Sequence, residues 1–466
     1  MLPHSGCRAQ ILIRTSLSGF EMKVKIVKSE GVIVSIPFDN SEYVHRQTRL
    51  FEDLPDSSAI IIPTNDQSTR SNDVHYPFRA NSYMLYLCGW TETEGVFAAT
   101  NTSGNWETVL FVSPRDTKQE IWEGIRIGVE GANEWPCDRA ESMSNLEGAL
   151  NGIISQCDNI FSFTGASSIV DSIVENIDDL IDPRPKIDLM RRVKSQREIE
   201  LMKEAAEIAS NAHIEAMSHS FPGIGEWQIQ SIIEGHFINS GSQWSFPSIV
   251  GGGDNGTILH YKSNDSIIDN GSLVLVDAGC EVSGYASDIT RTWPINGKFT
   301  QSQREIYEIV LKAQLAAIES CLPGSRWVSM HKAASYEIAQ GLIDIGILDC
   351  SVDEAIGDPD EFDGPYRNFF MHGTGHFLGL DVHDVGGGRQ GDDEKGPILE
   401  PGMVVTVEPG LYFAGWRSDV DIPQRYSGIG IRIEDDVLIT EDGPVVMSSS
   451  CPKEISDIEK LIGSGV

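Results

Sequence analysis

SLVLVDAGCEVSGYASDITRTWPI, residues 272–295, decides the fold class of the C-terminal half. Leu273 to Val276 form an apolar run closed by Asp277, and Asp288 follows eleven residues later. Gly279, Ser283 and Gly284 lie between them and suit a hairpin turn. Two adjacent strands would then place both carboxylates side by side. Two such acids raise each other's pKa and are costly unless something neutralises them, as a divalent cation does. Alone, a pair of aspartates flanking a turn more often reads as solvated turn residues than as metal ligands.

Three further segments change that balance. FMHGTGHFLGLDVHDVG, residues 370–386, holds His372, His376 and His383, three of the eleven histidines within twelve residues. MVVTVEPGLY, residues 403–412, ends a strand at Glu408 before Pro409-Gly410. GIGIRIEDD, residues 428–436, sets Glu434 beside Arg432 in another strand. Charged groups amid apolar runs are expensive to bury unless paired or ligated. Asp277, Asp288, Glu408, Glu434 and one imidazole make a hard, oxygen-rich set whose four negative charges balance two divalent metal ions. Such ligation favours Mn2+ first, with Co2+, Fe2+ or Zn2+ behind it.

The whole chain has 466 residues, 40% of them apolar and 22% charged, a globular composition long enough for two or three domains. Its 35 basic and 69 acidic residues leave a net charge of -34, which argues against nucleic acid and anionic membrane as partners. No stretch approaches the ~18 consecutive apolar residues of a membrane span. The eight cysteines are scattered with no CxxC pair and read as reduced thiols of a cytoplasmic protein. The start carries Arg8 and Arg14 and no acid before Glu21, so mitochondrial import through residues 1–21 is the alternative. On the favoured reading Met22 opens the ordered chain.

Residues 22 to about 180 alternate strand and helix patterns. SSAIIIPT and ETVLFVSP read as buried strands, and KQEIWEGIRIG has helical spacing. Ile181–Ser195, with two prolines and a basic cluster, is the expected linker. Capping boxes at Ser195/Glu198 and Thr300/Gln303 mark helix starts beyond it, and Pro323-Gly324 ends the second helix. Gly251, Gly253 and Gly256 satisfy GxGxxG with Asp277 about twenty residues on, but strand and turn residues follow where a dinucleotide site needs a helix.

VDAGCEVSGYASDITRTWP, HGTGHFLGLDVHD, TVEPG and GIRIEDD resemble the metal-binding blocks of the creatinase/methionine-aminopeptidase "pita-bread" metallopeptidases. Within that group the chain is most similar to aminopeptidase P, the Xaa-Pro aminopeptidases. The similarity includes ILHY and NGKFTQSQREIYEIVL, and in the first domain YPFRANSYMLYLCGW and RDTKQEIWEGIRIG, covering about residues 40 to 450. It implies an α+β protein. A smaller N-terminal α/β domain would span 22–180, and a pita-bread domain, a curved and mainly antiparallel sheet with outer helices, 186–450. By the same resemblance Asp277 chelates one metal, Asp288 and Glu434 bridge both, and His376 and Glu408 complete the other. His260, His372, His383 and Arg432 match residues near the substrate. Their duller alternatives are a loop histidine for His260, a residue that merely orients a ligand for His372, and a counter-ion of Glu408 or Glu434 for Arg432.

The activity implied is hydrolysis of the bond between an N-terminal residue and a following proline in peptides. A hydroxide bridging two metals would attack the carbonyl, His383 would stabilise the oxyanion, and Glu408 would pass the proton to the leaving nitrogen. A homo-oligomer is also implied. Prolidase, confined to Xaa-Pro dipeptides, is the enzymatic alternative, and a catalytically silent pita-bread binding module the non-enzymatic one. Glu408 and Glu434 are 26 residues apart, too close for the longer insertion of prolidases, and the first-domain elements also favour the aminopeptidase. Two departures stand out: Leu85 occupies a place where relatives carry an aromatic, and the loop Gly386–Gly396 is unusually glycine-rich and acidic.

Overall fold

The computed structural model describes residues 10–15, 21–29, 32–102, 104–358, 361–386 and 396–465, with side chains from residue 36 onward. The expectations for residues 1–9 and for the loop interior 387–395 lie outside the described residues. The chain divides into two compact units, Met1–Met190 and Arg191–Val466.

In the first unit, backbone pairing begins before Met22. Gln10–Thr15 pairs antiparallel with Glu21–Ser29, which pairs with Val32–Ile36. The main sheet has five strands in the order Asn159–Phe161, Ser58–Pro63, Val96–Asn101, Glu107–Val112, Arg139–Ser142, parallel at its two edges and antiparallel within. SSAIIIPT and ETVLFVSP supply inner strands, and Ser58–Pro63 is buried along its whole length. Ile61, Ala98 and Phe111 pack there against Leu150, Val170 and Val174 from two helices. KQEIWEGIRIG behaves differently from its pattern. The helix Thr117–Glu123 stops at Gly124, and none of its residues is buried, with Trp122 at 87% exposure. The expected linker also contains a helix, Arg184–Arg192. Pro185 falls in its first turn, where the missing N–H has no intrahelical partner to lose.

The second unit starts on the Ser195 box. Ser195 N–H donates to Glu198 Oε2 at 2.8 Å, and the helix Gln196–Ser218 buries Ile199, Met202, Ala205, Ala206 and Ala209. Its described strand pairs are all antiparallel. Leu273–Ala278 lies between Ile249–Gly252 and Ile289–Pro294, and Val404–Val407 pairs with Asp435–Thr440. The Asp277–Asp288 hairpin forms with Ser283 (φ 53°) and Gly284 (φ 86°) at its tip, the paired positive φ values of a tight two-residue turn. Its register puts Asp277 opposite Thr290, so Asp277, Thr290 and Asp288 share one face.

Arg291 points to the other face and is fully buried. It donates to Asp435 Oδ1 (2.7 Å) and to the carbonyls of Glu434 (2.6 Å), Cys451 (2.9 Å) and Pro452 (3.1 Å). Lys453 Nζ and Gln314 Nε2 hold the second oxygen of Asp435 at 2.7 and 2.8 Å. Burial alone would raise the Asp435 carboxyl, but Arg291 and Lys453 hold it well below the usual range.

His331, on the helix Val328–Asp344, is bonded through Nδ1 to Thr374 Oγ1 at 2.8 Å and meets the Phe362 ring edge-on at 4.7 Å. Burial, then Arg367, pushes its pKa from 6.5 down to about 4. Between those values the unfolded chain binds a proton that the folded imidazole refuses, so stability falls as pH drops through the window. Thermal melts from about pH 6.5 to about 4 should show a shallower loss of Tm for His331→Gln than for the parent. Equal slopes would rule out His331 as a source of acid sensitivity.

Candidate metal centre

The shared face of the hairpin gathers four carboxylates from three separate segments, Asp277 and Asp288 from the hairpin itself, Glu408 and Glu434 from two others. Asp277 lies close enough to Asp288 to push its carboxyl pKa upward. Asp288, His376 and Glu434 offer ligand atoms that all lie within 4.8 Å of one another. His376 Nε2 is 3.3 Å from Asp288 Oδ2 and 3.6 Å from Glu408 Oε1. The five side chains expected to bind metal are thus brought together. Burial raises the carboxyl pKa of Asp288 well above the ordinary range, and Asp277, Asp436 and Glu408 push it further. Burial does the same to Glu434, reinforced by Asp288, Glu408 and Asp277.

Two observations test whether the group fits a cation. Asp277 Oδ1 and Asp288 Oδ1 are buried with no hydrogen-bond partner. Secondly, His376 Nδ1 bonds to the Phe377 carbonyl at 2.9 Å, so Nδ1 carries a proton and Nε2 is the ring atom turned toward Asp288 and Glu408. Buried carboxylates crowded together repel unless a cation lies among them. The donor set fits divalent metal: four carboxylates and one imidazole.

Neighbouring strands hold this set in place. Thr406 Oγ1 accepts the His376 N–H at 3.0 Å and reaches Glu408 Oε1 at 3.5 Å. Thr290 Oγ1 donates to Glu434 Oε2 at 2.6 Å and accepts from Arg432 Nε at 3.1 Å. Asp436 accepts the backbone N–H of Asp288 at 3.1 Å.

Arg432 is buried, and its ion pair goes to Asp277 Oδ2 at 2.7 Å, not directly to Glu408 or Glu434. Its Nη1 donates to Tyr412 Oη at 2.9 Å, and Tyr412 bonds His372 Nε2 at 2.8 Å. His372 Nδ1 is bonded to the Gly373 carbonyl at 2.7 Å. That ring must therefore accept the Tyr412 hydroxyl proton. Burial, then Arg432, pushes the His372 pKa down to about 3, which keeps it neutral for this role. His383 meets the His376 ring edge-on at 4.4 Å. Its loop is pinned by Asp384, which pairs with Arg191 at 2.7 Å and Lys194 at 3.0 Å. His260 is exposed in a turn, and Leu259 and Tyr261 on either side of it pack against Leu275 and Tyr412. Leu85 sits half-buried on the helix Ser82–Cys88 of the other unit.

Sequence reasoning passed over Tyr412, Thr290, Thr406 and Asp436. Tyr412 had a readable signal: it is four residues past Glu408, in the same motif. The two threonines alternate with the ligands along their strands. Gly375 is constrained as tightly, because an added Cβ would lie 2.0 Å from the Thr406 carbonyl oxygen. Gly375→Ala should push the His376 and Glu408 segments apart and weaken Mn2+ binding about tenfold or more, read by calorimetry, with the circular dichroism of the fold retained. Parent-like affinity would show that this close approach does not set the ligand positions.

Comparison with known proteins bears on the same residues. The model of metallopeptidase family M24 matches residues 200–441, and that of the aminopeptidase P N-terminal domain matches residues 43–161. An Xaa-Pro aminopeptidase of Haemophilus influenzae is 42% identical over 90% of this chain and 97% of its own. Intermediate cleaving peptidase 55, mitochondrial, of Arabidopsis thaliana is 35% identical over 91% and 83%. Among solved structures, Escherichia coli aminopeptidase P with the inhibitor Pro-Leu aligns with a TM-score of 0.85 at 40% identity, covering 91% of this chain and 98% of that one. The chain accordingly belongs to metallopeptidase family M24, with an aminopeptidase P N-terminal domain ahead of its metallopeptidase domain.

Proposed function

We propose that this chain is a metalloaminopeptidase that removes the N-terminal residue from peptides with proline in second position, using two divalent metal ions, Mn2+ foremost. The observation that carries the reading is His376 Nε2 turned toward a buried carboxylate group in which Asp277 Oδ1 and Asp288 Oδ1 have no hydrogen-bond partner. The names of relatives at 40–42% identity, all but complete in coverage, supply the substrate class. Asp277, Asp288, His376, Glu408 and Glu434 would hold the metals, with Asp288 and Glu434 shared between them. Bound there, the ions would supply an activated water and a polarised scissile carbonyl near neutral pH.

The chain's own groups do the remainder. Arg432 keeps the Asp277 carboxylate aligned, and Tyr412 links that pair to His372. Neutral His372 and His383 border the place where the scissile carbonyl would lie, His383 steadying the developing oxyanion. Glu408, reached through Oε1 by Thr406, hands a proton to the leaving proline nitrogen. The acidic surroundings suit a free α-amino group. His260 meets the substrate from its exposed turn. The ranges 22–180 and 186–450 would approximate the two domains, within a chain whose compact units run Met1–Met190 and Arg191–Val466. Homo-oligomeric assembly completes the proposal, as does a cytoplasmic location based on seven free cysteines among the described residues. The mitochondrial alternative draws support from the acid-free start with Arg8 and Arg14 and from the mitochondrial Arabidopsis relative.

Stripping the protein with a chelator should abolish cleavage of Arg-Pro-Pro, and Mn2+ should restore it, except in Asp288→Ala. Activity without metal would refute the mechanism, and a protein that takes up no metal would point to a silent binding module. The dipeptide Arg-Pro, extended by two residues, should be cleaved with at least the kcat/KM of the dipeptide itself. A preference for the dipeptide of about tenfold or more, roughly 1.4 kcal/mol of transition-state discrimination, would make the enzyme a prolidase.

A further inference from the structure

Glu226 opens the helix Glu226–Asn239, is completely buried, and stands outside the metal group. Its carboxylate accepts four hydrogen bonds. Gly252 N and Asn255 Nδ2 donate to Oε1 at 2.8 and 2.9 Å, and Tyr261 Oη and Ser266 N donate to Oε2 at 3.0 and 2.9 Å. These donors come from both sides of His260. Gly252 and Asn255 precede it, while Tyr261 and Ser266 follow it. The backbone is tied as well, since Glu226 N donates to the Ser266 carbonyl at 2.9 Å, and Asn255 Nδ2 reaches Tyr261 Oη at 3.1 Å. One buried carboxylate therefore gathers both strands of the loop that presents an exposed histidine.

The loop is also seated on the site. Leu259 and Tyr261 pack against Ile249, Leu275 and Tyr412. Ile249 pairs with Asp277, and Tyr412 bonds both His372 and Arg432. An added Cβ on Gly430, in the strand of Arg432, would lie 2.0 Å from the Gly256 carbonyl oxygen, so the turn before His260 rests directly on that strand.

We propose that Glu226 is a positioning residue for the peptidase reaction: it clamps the 252–266 loop so that His260 is held toward the bound peptide. This rests on the reading above that His260 meets substrate. A carboxylate suits the task because all four partners are donors. Glutamine keeps the shape but turns an NH2 group toward two of them, opening one side of the clamp.

The test uses Mn2+-loaded full-length enzyme and Arg-Pro-Pro. Glu226→Gln should lower kcat/KM about tenfold or more, divided between kcat and KM as in His260→Ala, with Mn2+ affinity within about twofold of the parent. The double variant should be no worse than His260→Ala within about twofold, because the clamp acts through that histidine. Tyr261→Phe removes one hydroxyl from the clamp and should give a smaller loss of the same kind, likewise masked by His260→Ala. It decides the matter if Glu226→Gln does not fold. Multiplying losses, parallel loss of Mn2+ binding, or parent-like Glu226→Gln beside an impaired His260→Ala would overturn the clamp alone. A parent-like His260→Ala would overturn both the clamp and the substrate role of His260.

Discussion

Asp288 is held, buried, within reach of Asp277, with Glu408, Asp436 and Glu434 bearing on the same space. Desolvating even one carboxylate costs several kcal/mol, and close neighbours of like charge add to it. Much of the second unit is arranged around that expense. Arg432 offsets it from one face, pairing with Asp277 and donating to Thr290 and Tyr412. Arg291 and Lys453 neutralise Asp435 on the opposite face. The strand period of two makes this division possible, since Asp288 and Thr290 face one way and Arg291 the other. What the protein leaves uncompensated is the space around Asp277 Oδ1, Asp288 Oδ1 and His376 Nε2, and a cation fits there.

Rigidity around the group comes from short-range sterics as much as from charge. Gly375 allows the His376 segment to lie against Thr406, and Gly430 allows the turn before His260 to lie on the strand of Arg432. Larger residues at either place would meet backbone, which cannot swing aside as a side chain can. Hydroxyls on the same strands then orient the carboxylates, Thr290 for Glu434 and Thr406 for Glu408. The orientation of these carboxylates is thus fixed by the protein's own hydroxyls and backbone.

Much of this was legible in the sequence because it is local. Asp277 and Glu408 each close an apolar run beside glycine, the hairpin turn carries Ser283-Gly284, and the helix starts at Ser195 and Thr300 carry complete boxes. Elements that depend on distant partners were not legible. Nothing near Arg432 in the chain indicates that its counter-ion is Asp277, 155 positions away. The pairing of Arg291 with Asp435 spans 144 positions, and no pattern announces it. Trp122 shows the converse failure: helical spacing without a surface to bury it. The linker prolines misled for a simpler reason, because a first helical turn tolerates proline.

The reach of Arg291 has a bearing on how the molecule comes into being. Its guanidinium is satisfied by carbonyls of Cys451 and Pro452, about 160 positions downstream, and its anion Asp435 needs Lys453 as well. A chain emerging from the ribosome exposes the hairpin of Asp277 and Asp288 long before those partners exist. Until residues 451–453 are free, Arg291 has no complete set of acceptors and the strand carrying Asp288 has no finished support on its back. Contacts this remote in sequence close late and slowly. A nascent or truncated chain would therefore carry most of the clustered carboxylates and His376 without a formed centre, so that peptide cleavage begins only once synthesis of the fold is complete.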